Sequence, residues 1–402
     1  MTEETTDLLI AGGGPAGMMA GLLFARAGVK TLVLEKHADF LRDFRGDTVH
    51  PSTMEILHEL GLLGRFLERP HNRLSHARLR VAGREWTIGD LSHLSTPAPF
   101  IAMMPQWDFL DFLRDEAEAF PGFTLAMETP VAGFIDEGGR IAGVRLADGS
   151  ERRARLVVAA DGRASLVRRL DLLPVEVLGA PMDVFWFRLP KTGDGGDALR
   201  GSVDAGRIVV LIDRGDYWQV AMVIPKGGAE AIRAKGIEAV RREVEQAFPE
   251  IDLGSGTLKS FDELHLLSVA LDRLTRWHRP GLLAIGDAAH AMSPIGGIGI
   301  NLAIQDAVAA ANFLAGPMAE GREVDDLLDR VQRRRLLPTR IIQGAQKFAQ
   351  NRIIGRLLAS AEPIAKAPFL VRMLDRFPTL RRIPGRFIGL GVRREHARSP
   401  QM

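Results

Sequence analysis

Gly12-Gly13-Gly14-Pro15-Ala16-Gly17 is the first place in the chain where residue types and spacing imply chemistry. This G-x-G-x-x-G pattern lies between an apolar run, Asp7–Ala11, and a small-residue stretch of helical length, Ala16–Ala27, that Gly28 closes. In that setting the first glycine permits a tight turn and the second lets a pyrophosphate approach the backbone. The third lets helix and strand pack closely. The helix N-terminus offers unpaired amides and partial positive charge to the phosphates. Glu35 ends a second apolar run, Thr31–Glu35, eighteen residues after Gly17. A carboxylate there can accept hydrogen bonds from the ribose hydroxyls of an adenosine half. Taken alone, each match is equally a glycine-rich turn of an unrelated α/β fold; in register they specify a dinucleotide site. Which dinucleotide is left open.

Strand, helix and strand within about thirty residues form a βαβ unit, whose strands pair in parallel. Leu8 to Ala25 carries no charge, but glycines and Pro15 interrupt it and acidic residues precede it, so no transmembrane segment is expected. Ser52-Thr53-Met54-Glu55 reads as a capping box opening a helix that Gly61 ends. Gln106–Phe120 reads as an amphipathic helix. Phe123–Ala159 alternates with period two around turns at Glu137–Arg140 and Asp148–Ser150, which predicts a small antiparallel sheet. Further apolar strands are expected at Val184–Leu189, Ile208–Ile212 and Trp218–Ile224, with a loop at Thr192–Asp197 and a helix at Glu230–Phe248. The buried-strand pattern returns at Leu282–Ile285, so the first domain is expected to be discontinuous, and after Gly321 the chain reads as helical and basic.

Composition limits the function classes. Of 402 residues, 46% are hydrophobic and 25% charged, which excludes a disordered or collagen-like chain. Fifty-two basic against fifty acidic residues leave a formal charge of +2, so a nucleic-acid partner is not expected. No cysteine is present, which removes disulfides, thiolate metal sites and thiol catalysis and permits a reducing cytoplasm, the expected location.

Two further segments carry a family resemblance. Ala160-Asp161-Gly162-Arg163-Ala164-Ser165-Leu166-Val167-Arg168 resembles the D-G signature of flavoprotein monooxygenases. Gly286-Asp287-Ala288-Ala289-His290, continuing to Pro294 and Gly296-Gly297-Ile298-Gly299-Ile300-Asn301, is similar to their second flavin signature. With Arg45-Gly46 and Met104-Pro105-Gln106-Trp107-Asp108-Phe109-Leu110, the order matches the para-hydroxybenzoate hydroxylase family over most of residues 7 to 320.

The resemblance implies an α/β architecture: a Rossmann-like FAD-binding domain (1–72, 105–172 and 270–320), an inserted, mainly antiparallel substrate sheet (73–104 and 173–269) and a helical C-terminal region (321–402). It implies FAD contacts from Gly12, Gly14, Pro15, Ala16, Gly17, Glu35, Lys36, Arg45, Gln106, Val131, Asp161, Gly162, Asp287, Pro294, Gly297, Gly299, Ile300 and Asn301, and no metal. Asp287 would accept hydrogen bonds from ribityl or ribose hydroxyls, and the helix opening near Ile300 would stabilise negative charge on the reduced ring. The implied reaction is hydroxylation: NADH or NADPH reduces FAD, dioxygen is captured as a flavin hydroperoxide, and one oxygen passes to an aromatic, polyketide-like or quinoid substrate. No residue pair stands out as acid and base.

The departures from the family's pattern are informative. A tyrosine–tyrosine relay is impossible with Tyr217 as the only tyrosine, so hydroxybenzoate itself is excluded. Phe185-Trp186-Phe187-Arg188-Leu189-Pro190 lacks both tryptophans of the halogenase W-x-W-x-I-P segment. A flavin-dependent reductase of the geranylgeranyl type and a non-catalytic flavin-containing ligand carrier stay open as alternatives. His50, His58 and His290 have no metal-site spacing, and Trp107 and Trp218 read as core. Residues 319–402 hold eighteen basic and eight acidic residues, against a net −8 for the rest. Pro378, Pro384, Gly385, Gly389 and Gly391 break any long amphipathic helix, so this tail is expected to pack on the acidic body or on a second subunit of a homodimer rather than on lipid.

Overall fold

The computed structural model describes residues 6–41, 47–191 and 199–401, apart from 205, 252, 255, 361 and 363. Arg45, Gly46 and the loop expected at Thr192–Asp197 lie outside the described residues.

Small and apolar residues at the N-terminus build the expected parallel unit. Thr6–Ala11 pairs in parallel with Thr31–Leu34 on one side and with Glu151–Ala159 on the other. Leu282–Ala284 extends the sheet beyond Glu151–Ala159, and Phe123–Ala126 extends it beyond Thr31–Leu34, again in parallel. Helix α1 (Pro15–Arg26) covers one face, starting with proline in its first turn. Further helices are α2 (Pro51–Glu59), α3 (Gln106–Ala117), α4 (Ile298–Ala319), α5 (Leu328–Ala349), α6 (Phe369–Arg376) and α7 (Arg382–Leu390). Met18, Leu22 and Phe24 of α1 share a buried core with Ile304, Val308 and Leu314 of α4. Helix α4 is apolar and long enough to cross a bilayer, yet most of it is enclosed in that core.

A second sheet of seven strands runs in the order His265–Leu267, Met182–Pro190, Tyr217–Pro225, Arg207–Asp213, Leu199–Asp204, His76–Val81 and Arg84–Asp90. It is antiparallel except where Leu199–Asp204 meets His76–Val81. Alternation along its strands sorts side chains onto two faces. Phe185, Phe187, Leu211, Trp218 and Val220 pack against Val240 and Val244 of the helix Ile237–Ala247. Val184, Trp186, Ile212 and Ala221 point the other way, toward Ile101, Met103 and Leu390. Thr48–Val49 pairs with Ile101–Met103 in a small sheet that joins the two large ones.

The structure corrects four local readings. Helix α2 begins at Pro51 with His50 as its cap, and no Ser52 capping box forms because the proline starts the helix earlier. Phe123–Ala126 joins the parallel sheet, and Glu151–Ala159 changes from antiparallel to parallel pairing along its length; period-two alternation does not encode the partner's direction. The helix expected at Glu230–Phe248 is two, Ala229–Ala234 and Ile237–Ala247, separated by Gly236 at φ +80°. Helix α3 ends at Ala117 rather than Phe120.

Candidate functional site

The three glycines of the first loop differ in what surrounds them. Gly12 has φ +109°, and a Cβ there would lie 2.5 Å from the Ala160 carbonyl oxygen. One on Gly17 would lie 1.9 Å from the Gly12 oxygen, whereas one on Gly14 would meet nothing within 4 Å. Gly12 and Gly17 are therefore glycine for close packing, and Gly14 faces open space that a phosphate can enter. Pro15 has no amide hydrogen, and the first helical bond runs from Met18 N to Gly14 O, 2.9 Å. The amides of Ala16 and Gly17 precede that bond at the positive end of α1.

The Glu35 carboxylate accepts from Gly13 N at 2.9 Å and from His37 N at 3.1 Å, so it shapes the glycine loop from the end of its strand. Lys36 beside it is exposed, and Val131 begins a strand half-buried near Leu32, Leu34 and Ala126.

The two downstream signatures meet at this loop. Gly286, at φ +60°, packs between Ala16 and Ala303, and Gly12 abuts Ala160 and Asp161. Arg163 Nε lies 3.2 Å from Asp287 Oδ2, and Arg168 donates to the carbonyls of Asp287 and Ala288, both at 3.0 Å. Asp161 Oδ2 accepts from Leu166 N at 2.8 Å. Asp161 Oδ1 and Arg163 Nη1 are buried without a hydrogen-bond partner. Gly162 has φ +82°. Buried, unsatisfied polar atoms beside an open glycine and a helix N-terminus suit a pyrophosphate with hydroxyl-bearing arms, so the residues present fit FAD.

The third loop lies against the joint between the sheets. Pro294 caps the turn Ile295–Gly297, and Gly296 and Gly297 take φ of +76° and +62°. Gly299 and Ile300 fall in the first turn of α4. Asn301 is buried with its side chain fully engaged. Its Oδ1 accepts from His50 N and Thr53 Oγ1, both 2.8 Å, and its Nδ2 donates to Thr48 O and Gly297 O. Asn301 thus holds the loop in place with its side chain, leaving only backbone for a cofactor.

Sequence reasoning missed the polar cluster beneath this loop. Asp47 is buried where Thr48–Val49 begins and ion-pairs with Arg214. Arg214 Nε and Nη2 in turn donate to Gln219 Oε1 at 2.8 and 2.7 Å. Burial pushes the Asp47 carboxyl up to about 7, against the Arg214 charge, the Gln106 backbone amide and Gln219. Gln106 opens α3 beside it. Asp108 is raised as well, by burial and then by Asp111. Asp213, next to Arg214, pairs with Lys191 at 2.9 Å, both side chains largely buried. Arg214 Nη1 and Trp186 Nε1 are buried donors without an acceptor. No local motif marks this set, since Asp47 comes from far upstream and meets Arg214 and Gln219, which flank one hairpin turn. Trp218, in contrast, packs on the far face of the sheet.

His290 and Asp306 are also buried, 2.5 Å apart, and Asp306 accepts from Arg335 Nε at 2.9 Å and from Gly286 N at 3.1 Å. Complete burial would raise the Asp306 carboxyl, but His290 and Arg335 outweigh it and hold it below the ordinary carboxylate value. The cluster is structural support for the Gly286–Asp287 turn.

The FAD binding domain family matches residues 5–345. The 6-methylpretetramide 4-monooxygenase of Streptomyces rimosus is 34% identical over 387 residues, 94% of this chain and 92% of that one. Rifampicin monooxygenase of Streptomyces venezuelae is 29% identical over 330 residues, 80% of this chain and 66% of that one. PqsL of Pseudomonas aeruginosa, a probable FAD-dependent monooxygenase, superimposes with a TM-score of 0.73 at 23% identity, covering 89% of this chain and 99% of that one. That last likeness speaks for the fold alone. With three signature loops assembled around one open cradle, the chain belongs to the FAD binding domain family and, within it, to the FAD-dependent aromatic monooxygenases.

Proposed function

We propose that this enzyme hydroxylates an aromatic, polyketide-like or quinoid small molecule, consuming NADH or NADPH and dioxygen. FAD, when bound, supplies the redox and oxygen chemistry. The observation that carries the reading is the polar cluster Asp47–Arg214–Gln219, set in an otherwise apolar sheet face beside the Gly296–Gly299 loop. Val184, Ile212 and Ala221 of that face, with Met103 packed against them, exclude water. Arg214 Nη1 and Trp186 Nε1 are donors in want of acceptors, which carbonyl or phenolic oxygens would supply. Asp47, with its carboxyl near 7, is suited to take the proton of a phenolic hydroxyl, and Arg214 to hold the resulting phenolate.

Hydroxylation and the reductase alternative, in which a double bond is reduced without oxygen uptake, are separated by experiment. The test supplies the purified flavoprotein with NADPH or NADH under labelled dioxygen. 6-Methylpretetramide and rifampicin, the compounds in the relatives' names, are the first to try. One labelled oxygen in the product is expected, and unsuitable aromatic effectors should speed NAD(P)H oxidation while yielding hydrogen peroxide. Oxidation of NAD(P)H without oxygen uptake across such a panel assigns the chain to the reductases.

A further inference from the structure

The tail divides into two parts with different surroundings. Residues 394–401 lie along the body. Arg394 pairs with Glu55 at 2.9 Å, Ala397 N donates to Glu59 at 2.7 Å, and Arg26 Nη2 donates to Gln401 at 2.8 Å. Helices α6 and α7 just before it bury only one side. Leu374 is buried, and Val371 packs with Val81 and Trp86 of the strand pair His76–Val81 and Arg84–Asp90. A Cβ on Gly385 would lie 1.9 Å from the Asp90 oxygen, and one on Gly389 would lie 2.9 Å from Leu94. The glycines that deny a long helix thus let α7 lie flush on the sheet edge.

The opposite side is uncovered. Phe369 is 73% exposed, Leu370 54%, Phe377 55% and Ile383 68%. Among the described residues, most of the exposed large apolar side chains fall between Leu337 and Ile383. Charge on the same segment is one-sided, with six basic residues and one acidic from Lys366 to Arg386. That acid, Asp375, is taken by Arg84 and Arg381, each at 3.3 Å. Arg372, Arg376, Arg382 and Arg386 are exposed and have no carboxylate partner among the described residues.

We propose that the outward face of α6 and α7 docks on an anionic lipid surface. Aromatic and branched side chains standing between unpaired arginines match the boundary between acyl chains and headgroups, where guanidinium groups bind phosphate oxygens in pairs. A second copy of the chain fits less well, because a two-fold contact would set these arginines against one another. Proline and glycine breaks rule out one long interfacial helix, but two short helices held on a rigid sheet need no helix-forming free energy of their own at the membrane. The proposal does not depend on which substrate the enzyme uses.

The experiment is co-sedimentation of the FAD-loaded, full-length protein with phosphatidylcholine vesicles, with and without phosphatidylglycerol. Binding only to the phosphatidylglycerol vesicles, weakened by salt, is expected. The triple variants Arg372→Glu/Arg376→Glu/Arg382→Glu and Phe369→Ser/Phe377→Ser/Ile383→Ser should each bind on the order of 100-fold more weakly. Both should keep wild-type Tm, flavin absorbance and NAD(P)H oxidation, since every altered side chain is exposed. If a triple variant fails to fold, graded losses with Phe369→Ser and Arg382→Glu alone serve the same purpose. Absence of vesicle binding, or equal binding by the variants, overturns the proposal. A concentration-dependent dimer, or capture by an acidic protein, that the same variants abolish while vesicles are ignored would assign the face to that partner instead and overturn it equally.

Discussion

Asp287 and Asp47 show how two carboxylates of one site acquire different tasks from their neighbours. Asp287 is half-exposed at the open cradle and paired with Arg163, an arrangement suited to accepting hydrogen bonds from cofactor hydroxyls. Asp287→Ala removes a charge-assisted acceptor worth about 1.5–3 kcal/mol, so the purified variant should retain FAD some 10- to 100-fold more weakly. A visible spectrum showing full flavin occupancy at low protein concentration would contradict that role. Asp47 is enclosed, and its raised pKa places a proton equilibrium near neutral pH. Product formation should therefore rise with pH through about 7, and Asp47→Asn should lose that limb with a rate deficit on the order of 100-fold. Flavin reduction, measured anaerobically by stopped flow, should change far less. A pH profile identical to that of the parent would remove Asp47 from proton handling.

At the scale of elements, the entry of α2 holds the site together. His50 caps this helix, donates its backbone N–H to Asn301 of α4, and directs Nδ1 at Ile388 O of α7, 2.8 Å away. Burial lowers the His50 pKa to about 4, so the folded protein refuses a proton that the unfolded chain accepts near 6.5. A depressed histidine contributes stability that is present above pH 6.5 and is lost as the pH falls toward 4, about 3 kcal/mol over that span. Tm should fall between pH 7 and pH 5 by several degrees, and His50→Gln, which cannot titrate, should flatten the profile. Parallel profiles for the two proteins would show that the acid sensitivity resides elsewhere. The same junction explains a sequence-level miss. The serine and glutamate spacing at Ser52 and Glu55 is a real capping pattern, but Pro51 starts the helix two residues sooner than a Ser52 cap would, and Glu55 turns to Arg394 instead.

At the scale of the whole molecule, the chain end is tied back to the cofactor cradle. Glu395 accepts from Arg334 at 2.6 Å and from Arg335 at 3.1 Å; Arg335 holds Asp306, and Asp306 holds the Gly286 amide. Glu395→Ala leaves the fully buried Arg335 half-paired, which costs about 3–5 kcal/mol and should lower Tm by several degrees while loosening FAD. An unchanged Tm with normal flavin retention would disconnect the tail from the cradle. The cofactor half of the site was legible from the sequence because a phosphate-binding turn is a local object. Gly12, Gly14 and Gly17 lie within six residues, and their spacing alone dictates the turn and the open helix end. The signatures at Asp161 and Asp287 were legible in the same way, as short runs, and their resemblance named the cofactor. The buried polar cluster at Asp47 was not legible. Asp47 lies far in the chain from Arg214 and Gln219, which share one hairpin, and all three are ordinary in type; only the pairing of Thr48–Val49 with Ile101–Met103, and the packing of the seven-stranded sheet, bring Asp47 to that hairpin and bury the set. Burial is what gives Asp47 its altered proton affinity, and burial is a property of tertiary packing that no spacing of residues specifies.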